Sequence, residues 1–484
     1  MDIKVTGHEY FYDITSMSML FFPGEKTNYV KRSNNETHII STLKSINSKY
    51  LSLTRIKFKG NWYSSQKTCS ITCDSKNLVK QTFYKACSKA TGISSPWGIL
   101  TGIRPLSVYK RHFLNRENVA NIMKNEYYLH DDKIELLDNI FKIEKDLLNS
   151  NKSDVSIYIS IPFCPSKCSY CSFISVAATK TGDLANKYFD LLIKEIKLKS
   201  KLIKSHKLNV KSLYVGGGTP GTLDENKIDL LFSTLDQEFK LETIDELTFE
   251  IGRPETITHD KLKILKKYNV NRICINTQTT NDKILASVNR KHSAEMYFNA
   301  VNLAKSVGFE SINTDLIAGL PNEDVDSFIK SVDDVISTGV NNITIHTLSI
   351  KKSAVLSDEG KYYNPSDVRV RLMLESAYHK LAANGYVPYY IYRQKNCVSN
   401  GENIGFCKPN KLCKYNVYMM EDVHSIISCG AGASSKIING TEVYRVINVK
   451  YPMEYVNEFY KINNNNIKLD NILKAKFYDE RNRN

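Results

Sequence analysis

Three cysteines lie within eight residues in the segment IPFCPSKCSYCSF, which spans residues 161–173. Three residues separate Cys164 from Cys168, and two separate Cys168 from Cys171. Three thiolates on one loop can bind three irons of a cubane iron–sulfur cluster and leave the fourth iron open to another molecule. Structural zinc is the competing interpretation, but it needs four ligands, and the next histidine is His206. The spacing therefore predicts a 4Fe–4S cluster, with coincidental free cysteines as the alternative.

Residues suited to binding a small ligand follow later β-rich runs. The segment GGGTPG at 216–221 contains Gly217 and Gly218, where a backbone can approach a ligand closely or simply turn. Three more runs end in a polar residue, at Glu250, Gln278 and Asp315. An acid at a strand end commonly accepts hydrogen bonds from ribose hydroxyls, and the alternatives are a helix N-cap or a solvated end. Arg290 could clamp a carboxylate through two hydrogen bonds, or form a surface ion pair.

The runs that carry these residues alternate with amphipathic helical patterns. Six β-rich runs are recognised, at residues 156–161, 212–215, 247–251, 272–276, 311–317 and 343–350. Two intervening segments place apolar residues on one helical face: Ile228, Leu231, Phe232, Leu235 and Phe239 in the first, and Val325, Phe328, Ile329, Val332 and Ile336 in the second. Such alternation predicts right-handed βαβ units and a parallel sheet. Six units are too few for a closed eight-stranded barrel, so we expect an α/β fold with a partial, TIM-like (β/α)6 barrel and its chemistry at the carboxyl ends of the strands.

The formal net charge of +15 over 484 residues is unevenly distributed. Residues 51–116 contain twelve Lys or Arg residues and one acid, Asp74, and so carry +11. This excess suits an anionic partner, either nucleic acid or a polycarboxylate, and a solvated surface is an equal alternative. Four aromatic residues are interleaved with the basic ones, namely Trp62, Tyr63, Phe83 and Tyr84. They would suit an RNA-modifying protein, but residues 1–150 contain no recognised RNA-binding module, and nucleic acid is not the expected partner.

The sequence also indicates a location. The amino-terminal residues lack a basic start followed by an apolar run, so no secretory signal is expected. No stretch approaches the ~20 apolar residues of a membrane-spanning helix. The chain contains eleven cysteines, an odd number, which in a reducing compartment favours metal or redox chemistry over disulfides. We therefore expect a cytoplasmic protein.

Together these motifs resemble the radical S-adenosylmethionine (SAM) superfamily. Within it, GGGTP, the triplets NTQ and VNR, and DLIAGLP resemble the oxygen-independent coproporphyrinogen III oxidase group. The likeness includes its coproporphyrinogen dehydrogenase branch, which has an added N-terminal domain, because it extends into PWGILTGIRP at 96–105. The segment CGAGASSK at 429–436 resembles a glycine-rich stretch near the group's C-terminal module. Three regions are expected: a basic accessory α+β domain at 1–150, the radical SAM barrel at 151–385 and a C-terminal substrate-side module at 386–484.

The resemblance implies a role for each candidate residue. The three cysteines would bind a 4Fe–4S cluster, and the amino and carboxylate groups of SAM would chelate its open iron. Tyr158 matches an aromatic residue that lies against the cofactor, which makes it the candidate catalytic residue. The remaining positions match SAM contacts: Gly217 and Gly218 beside the methionine amino group, Glu250 and Asp315 at the ribose, and Gln278 and Arg290 at the methionine part.

The resemblance also implies an activity. In the resembled oxidases, cleavage of SAM gives a 5′-deoxyadenosyl radical, which takes a hydrogen from a propionate of coproporphyrinogen III. Loss of carbon dioxide and one electron then leaves a vinyl group, as haem biosynthesis requires. The expected partners are the porphyrinogen and a low-potential electron donor such as a flavodoxin or ferredoxin. Because the substrate carries four carboxylates, the basic N-terminal segment could steer it. The test is to neutralise four cations together and to measure porphyrinogen binding; the four are Lys57, Lys59, Arg104 and Arg111.

One residue departs from the pattern of many oxidases. Phe173 stands where they have a further cysteine, and the same absence occurs in relatives that resemble haem-trafficking proteins. The alternative function is therefore haem binding or delivery by a protein that keeps the cluster. His346 would then be a candidate axial ligand, although a lone histidine in a barrel strand is more often a packed core residue.

The remaining cysteines fit no metal-binding pattern. Spacings of ten, six and sixteen separate Cys397, Cys407, Cys413 and Cys429. Free buried thiols are expected here rather than an auxiliary cluster. The same is expected of Cys69 and Cys73.

Overall fold

The computed structural model describes residues 1–32, 35–115, 117–351, 354–356, 367–394 and 397–481. These residues divide into two compact units. The first contains Met1–Phe141 and the later segment Arg393–Gly401, and the second contains most of the described residues from Lys142 onward.

The first unit is an α+β structure. Its strands are β1 (Asp2–Thr6), β2 (Asn28–Tyr29), β3 (His38–Ile46), β4 (Lys49–Phe58) and β5 (Asn61–Ser70), which form one sheet in the order β2-β1-β3-β4-β5. The helices are α1 (Phe11–Phe21), α2 (Ser75–Thr91), α3 (Pro105–Leu114), α4 (Val119–Asn125) and α5 (Asp131–Glu144). α2 begins where the Asp74 side chain accepts hydrogen bonds from two backbone N–H groups, and it ends at Gly92 in the left-handed conformation.

A disulfide joins Cys69 at the end of β5 to Cys73. The expectation of free buried thiols was therefore wrong for this pair. The chain turns after the strand, with the Cys73 N–H donating to the Ser70 carbonyl over 3.0 Å, and this turn brings the two Cα atoms within 6.2 Å. Both side chains are half-buried rather than buried.

The second unit contains thirteen strands and ten helices in the part of the chain that the structure describes. The strands are β6 (Asp154–Ile161), β7 (Phe163–Cys164), β8 (Val176–Ala177), β9 (Asn209–Gly217), β10 (Glu246–Gly252), β11 (Arg272–Ile275), β12 (Ser311–Ala318), β13 (Asn342–Thr347), β14 (Val387–Arg393), β15 (Glu402–Cys407), β16 (Ser425–Cys429), β17 (Ser434–Asn439) and β18 (Glu442–Ile447). The helices are α6 (Leu184–Ser205), α7 (Glu225–Phe239), α8 (His259–Lys267), α9 (Asp282–Ser287), α10 (Ala294–Ser306), α11 (Val325–Ser337), α12 (Val368–Ala383), α13 (Lys414–Met420), α14 (Pro452–Asn457) and α15 (Tyr460–Arg481).

Eleven of these described strands form one sheet in the order β14-β15-β13-β12-β11-β10-β9-β6-β16-β17-β18. The six predicted strands are neighbours in it and run parallel, from β6 through β9, β10, β11 and β12 to β13. Within the described residues β14 and β18 remain edges, so the barrel is partial, as predicted. β16 pairs in parallel with β6, so the C-terminal segment extends the same sheet.

The helices pack through the stripes that their sequences predict. In α7, Ile228, Leu231, Phe232 and Leu235 are buried and Phe239 is half-buried. In α11 the buried face is Phe328, Ser331, Val332 and Val335, while Ile329 and Ile336 are half-buried. Each fully buried aliphatic or aromatic side chain stabilises the fold by about 1.5–3 kcal/mol. In the described residues no helix combines the length and the apolar character needed to cross a membrane.

Candidate active site

The cysteine loop and the glycine-rich loop run side by side at the carboxyl ends of β6 and β9. Gly218 N–H donates to the Ile161 carbonyl over 2.8 Å, and Thr219 N–H donates to the Phe163 carbonyl over 2.7 Å. A Cβ atom on Gly218 would lie 2.7 Å from that same Phe163 oxygen and 3.0 Å from Cys164 Sγ. Only glycine permits this approach, so the contact with the first cysteine explains the third glycine of the run, Gly218.

The three cysteines follow one another on a loop that later segments hold in place. Cys164 ends β7, and the Cys171 N–H donates to the Cys168 carbonyl over 3.1 Å. Asn289 Nδ2 donates to the Lys167 carbonyl over 2.7 Å. Cys164 and Cys168 are buried, whereas Cys171 is half-buried. The loop therefore presents its thiols at the barrel rim.

Cationic and hydroxyl donors surround the cysteine sulfurs. Arg253 Nη2 lies 3.0 Å from Cys168 Sγ, and Arg290 Nη1 lies 3.9 Å from the same sulfur. Thr219 Oγ1 donates to Cys164 Sγ over 3.4 Å. Burial raises the pKa of Cys171 to about 11, so its thiol stays protonated at neutral pH until a metal displaces the proton.

This donor set fits a cluster better than a single metal ion. In the described part of the chain, no group of three or more His, Cys, Asp or Glu side chains converges as a ligand set for one metal ion. Structural zinc is normally bound by four ligands, whereas three thiols on one loop can bind three irons of a cubane. Three thiols on one loop, each reached by a hydrogen-bond donor, therefore suit a 4Fe–4S cluster.

Glu250 and Asp315 differ in protonation although they are neighbours. Burial and the negative charge of Asp315 raise the pKa of Glu250 to about 8. Burial would also raise the pKa of Asp315, but hydrogen bonds from His346 and Asn313 hold it below its usual value. Asn313 Nδ2 donates to Asp315 Oδ1 over 2.9 Å, and His346 Nε2 lies 3.5 Å from Oδ2. At pH 7 the pair is therefore one neutral acid and one carboxylate.

Gln278 and Arg290 each keep a buried polar atom without a hydrogen-bond partner among the described residues, Oε1 and Nε respectively. Gln278 has φ of 72° and its N–H donates to the Asp315 carbonyl over 2.9 Å. Arg290 Nη1 donates to Tyr170 Oη over 3.0 Å, and Nη2 donates to the Asn276 carbonyl. Buried polar atoms without partners are rare, so one acceptor and one donor remain for a polar ligand.

Tyr158 lies on β6 within a group of three nearly parallel rings. Its ring centroid is 6.1 Å from that of Tyr214 and 6.4 Å from that of Tyr415, and the latter two are 4.9 Å apart. The sequence reasoning missed Tyr214, although it lies two residues before the first glycine of GGGTPG. It also missed Tyr415, which α13 contributes with no local signal, and Arg253, a basic residue three positions after Glu250.

Two further expectations concern His346 and the other cysteines. Both ring nitrogens of His346 are engaged, Nδ1 with Tyr392 Oη at 3.1 Å and Nε2 with Asp315. These contacts compete with axial ligation of haem iron. All four cysteines of the later segment are buried, as expected: Cys397, Cys407, Cys413 and Cys429. Phe173 is 68% exposed, so the position of the missing cysteine faces solvent.

This chain is similar to several known proteins. Residues 158–335 match the family model of the radical SAM superfamily. The chain is 36% identical over 396 residues, 79% of each protein, to the oxygen-independent coproporphyrinogen-III oxidase-like protein HemZ of Bacillus subtilis (strain 168). It is 28% identical over 307 residues to the heme chaperone HemW of the same organism, which covers 63% of this chain and 76% of that protein. Coproporphyrinogen III oxidase (HemN) from Escherichia coli shares the fold, with a TM-score of 0.53 at 22% identity over 65% of this chain and 71% of that one.

Proposed function

From the premise that the chain belongs to the oxygen-independent coproporphyrinogen III oxidase family of the radical SAM superfamily, we propose that it oxidatively decarboxylates propionates of coproporphyrinogen III to vinyl groups. A 4Fe–4S cluster and SAM are the cofactors of this superfamily, and together they supply one-electron cleavage of SAM and hydrogen-atom abstraction. The chain's own residues bind these groups, orient them and exclude water.

The observation that supports the SAM-dependent part of this proposal is a pair of unpartnered buried atoms, one on Gln278 and one on Arg290, whose guanidinium contacts the cysteine loop. Gln278 Oε1 is available as an acceptor for an ammonium group, and Arg290 Nε as a donor to a carboxylate. SAM carries both groups on its methionine part. Glu250 and Asp315 would accept hydrogen bonds from the ribose hydroxyls, and Tyr158 would lie against the cofactor.

A second candidate function is haem binding or delivery with the cluster retained. It is supported by the exposed Phe173, which offers no sulfur at a position where many oxidases have cysteine. The similarity to a heme chaperone points the same way. The contacts of His346 weigh against that residue as the haem ligand, so this alternative would need a different ligand.

The test is an anaerobic reaction of the reconstituted chain with a low-potential reductant, SAM and coproporphyrinogen III. Deoxyadenosine and protoporphyrinogen are measured together, and both are expected. Cys171→Ser should abolish both products, whereas Cys407→Ser, a buried thiol outside the loop, should retain them. Deoxyadenosine without protoporphyrinogen would refute the substrate. Absence of both, with haem retained through gel filtration, would favour the second function.

A further inference from the structure

Arg253 connects the third barrel strand to the cysteine loop. It directly follows β10 and is only 3% exposed. Its Nη1 donates to Ser166 Oγ over 3.2 Å, and its Nη2 donates to the Ser166 carbonyl over 2.6 Å and to Cys168 Sγ over 3.0 Å. One buried guanidinium therefore holds the loop backbone and one ligand sulfur at the same time.

The cations act on the three sulfurs unequally. Both Arg253 and Arg290 approach Cys168, whereas Cys164 receives the neutral hydroxyl of Thr219. Cys171 is reached by the backbone N–H of Phe173 and, more weakly, by the charge of Lys167. A positive charge therefore lies against one corner of the expected cluster.

Glu255 partly neutralises this charge. Its Oε1 lies 3.2 Å from Arg253 Nη1, and its side chain is 18% exposed. Charge-assisted hydrogen bonds are about twice as strong as neutral ones, and hydrogen bonds to cluster sulfurs together with the net charge of the site set the reduction potential. Arg253 and Glu255 should therefore move that potential in opposite directions.

We infer that Arg253 is a positioning residue that raises the reduction potential of the cluster by donating to Cys168 Sγ, and that Glu255 attenuates its effect. This inference rests on the proposed cluster but not on the identity of the substrate. If Arg253 only held the loop in place, its replacement would lower the amount of cluster bound. It would not produce opposite shifts of the reduction potential in the Arg253 and Glu255 variants. The two interpretations thus differ in a measurable quantity.

The experiment measures the midpoint potential of the cluster by anaerobic redox titration of the reconstituted full chain, followed by electron paramagnetic resonance, without SAM or substrate. Arg253→Gln should shift the potential to more negative values, because it removes a cation from the sulfur. Arg253→Lys keeps the charge but loses the forked geometry and should shift it less. Glu255→Gln should shift it to more positive values. Iron and sulfide per chain are measured on every sample.

Asn289→Gly is the matched control. It removes the Asn289 Nδ2 bond to the Lys167 carbonyl and therefore loosens the same loop without changing any charge. Glycine suits the φ of 60° at this position. Its potential should equal that of the unchanged chain.

Several outcomes would overturn the inference. They are an unchanged potential in a cluster-loaded Arg253→Gln variant, or a shift in Asn289→Gly as large as that in Arg253→Gln. If Arg253→Gln binds no cluster, Arg253→Lys and Glu255→Gln decide the question, and an unchanged potential in both would refute it. Failure of the unchanged chain to bind any cluster would instead refute the proposed function.

Discussion

Replacing Gly218 by alanine should impair cluster binding through a single added methyl group. Its Cβ would lie 2.7 Å from the Phe163 carbonyl oxygen, 3.0 Å from Cys164 Sγ and 3.0 Å from the Phe163 nitrogen. Two of these atoms are backbone, and the third is the first expected cluster ligand. Because carbon contacts are optimal at about 3.5–4.0 Å, either β7 or the glycine loop must move.

The size of the effect follows from the cost of overpacking. Extra methylenes in a well-packed site cost about 1–3 kcal/mol. Since about 1.4 kcal/mol is a tenfold change in an equilibrium constant, the population of the correctly formed loop should decrease about 5- to 150-fold. We therefore expect a lower denaturation midpoint and less iron bound per chain.

The assay combines iron and sulfide analysis after anaerobic reconstitution with chemical denaturation of the cofactor-free chain. Both tryptophans, Trp62 and Trp97, lie in the first unit, so far-ultraviolet circular dichroism is the appropriate probe. Gly102→Ala is the control, because a Cβ there meets no atom within 4 Å. A Gly218→Ala variant with the full iron content and an unchanged midpoint would refute the steric reasoning, as would an equal loss in Gly102→Ala.

Two further predictions concern the acids. The pKa of Glu250 is raised from 4.5 to about 8 in the folded chain. Its contribution to the free energy of unfolding is therefore fully present below about pH 4.5 and is lost as the pH rises to 8, because the folded chain disfavours the ionised form. Glu250→Gln, which stays neutral, should therefore gain stability relative to the unchanged chain between pH 5 and 8, measured by denaturation midpoints; a pH-independent difference would contradict this. Asp315→Asn removes a charged acceptor worth about 1.5–3 kcal/mol and should weaken SAM binding to the cluster-loaded chain about 10- to 150-fold in equilibrium dialysis. The surface variant Asp229→Asn should bind normally, and unchanged affinity in Asp315→Asn would refute its role.

The barrel strands were predictable because each is a short β-rich run buried on both faces. The first and last residues of each strand were less predictable, because hydrogen bonding to a neighbouring strand, rather than composition, decides how far a strand extends. β9 runs from Asn209 to Gly217, beyond the predicted 212–215, since its ladder with β6 continues from Asp154 to Ile161. Local patterns predict where strands exist, and hydrogen bonding to a neighbour decides where they end.

Contacts between distant segments had no local signal. β16 pairs with β6 although more than 250 residues separate them, and Arg253 reaches Cys168 across 85 residues. The placement of the candidate ligand residues was predictable because parallel βαβ units bring all carboxyl strand ends to one edge. The contacts of Arg253 with Cys168 and of His346 with Asp315 were not predictable, because they join segments that are distant in the sequence.

Asn276 explains how the acids and the cysteine loop form one site. It follows β11, is 5% exposed, and its Oδ1 accepts from the Asp315 N–H over 3.2 Å. Its Nδ2 lies 3.5 Å from Glu250 Oε1, and its carbonyl accepts from Arg290. Asn276, at the end of β11, thus contacts both Glu250 and Asp315. Its carbonyl also binds Arg290, which in turn approaches the Cys168 sulfur. A ligand that bridged these groups would meet hydrogen-bond acceptors at one end and the Arg290 guanidinium at the other, which suits the ribose hydroxyls and the carboxylate of the proposed SAM.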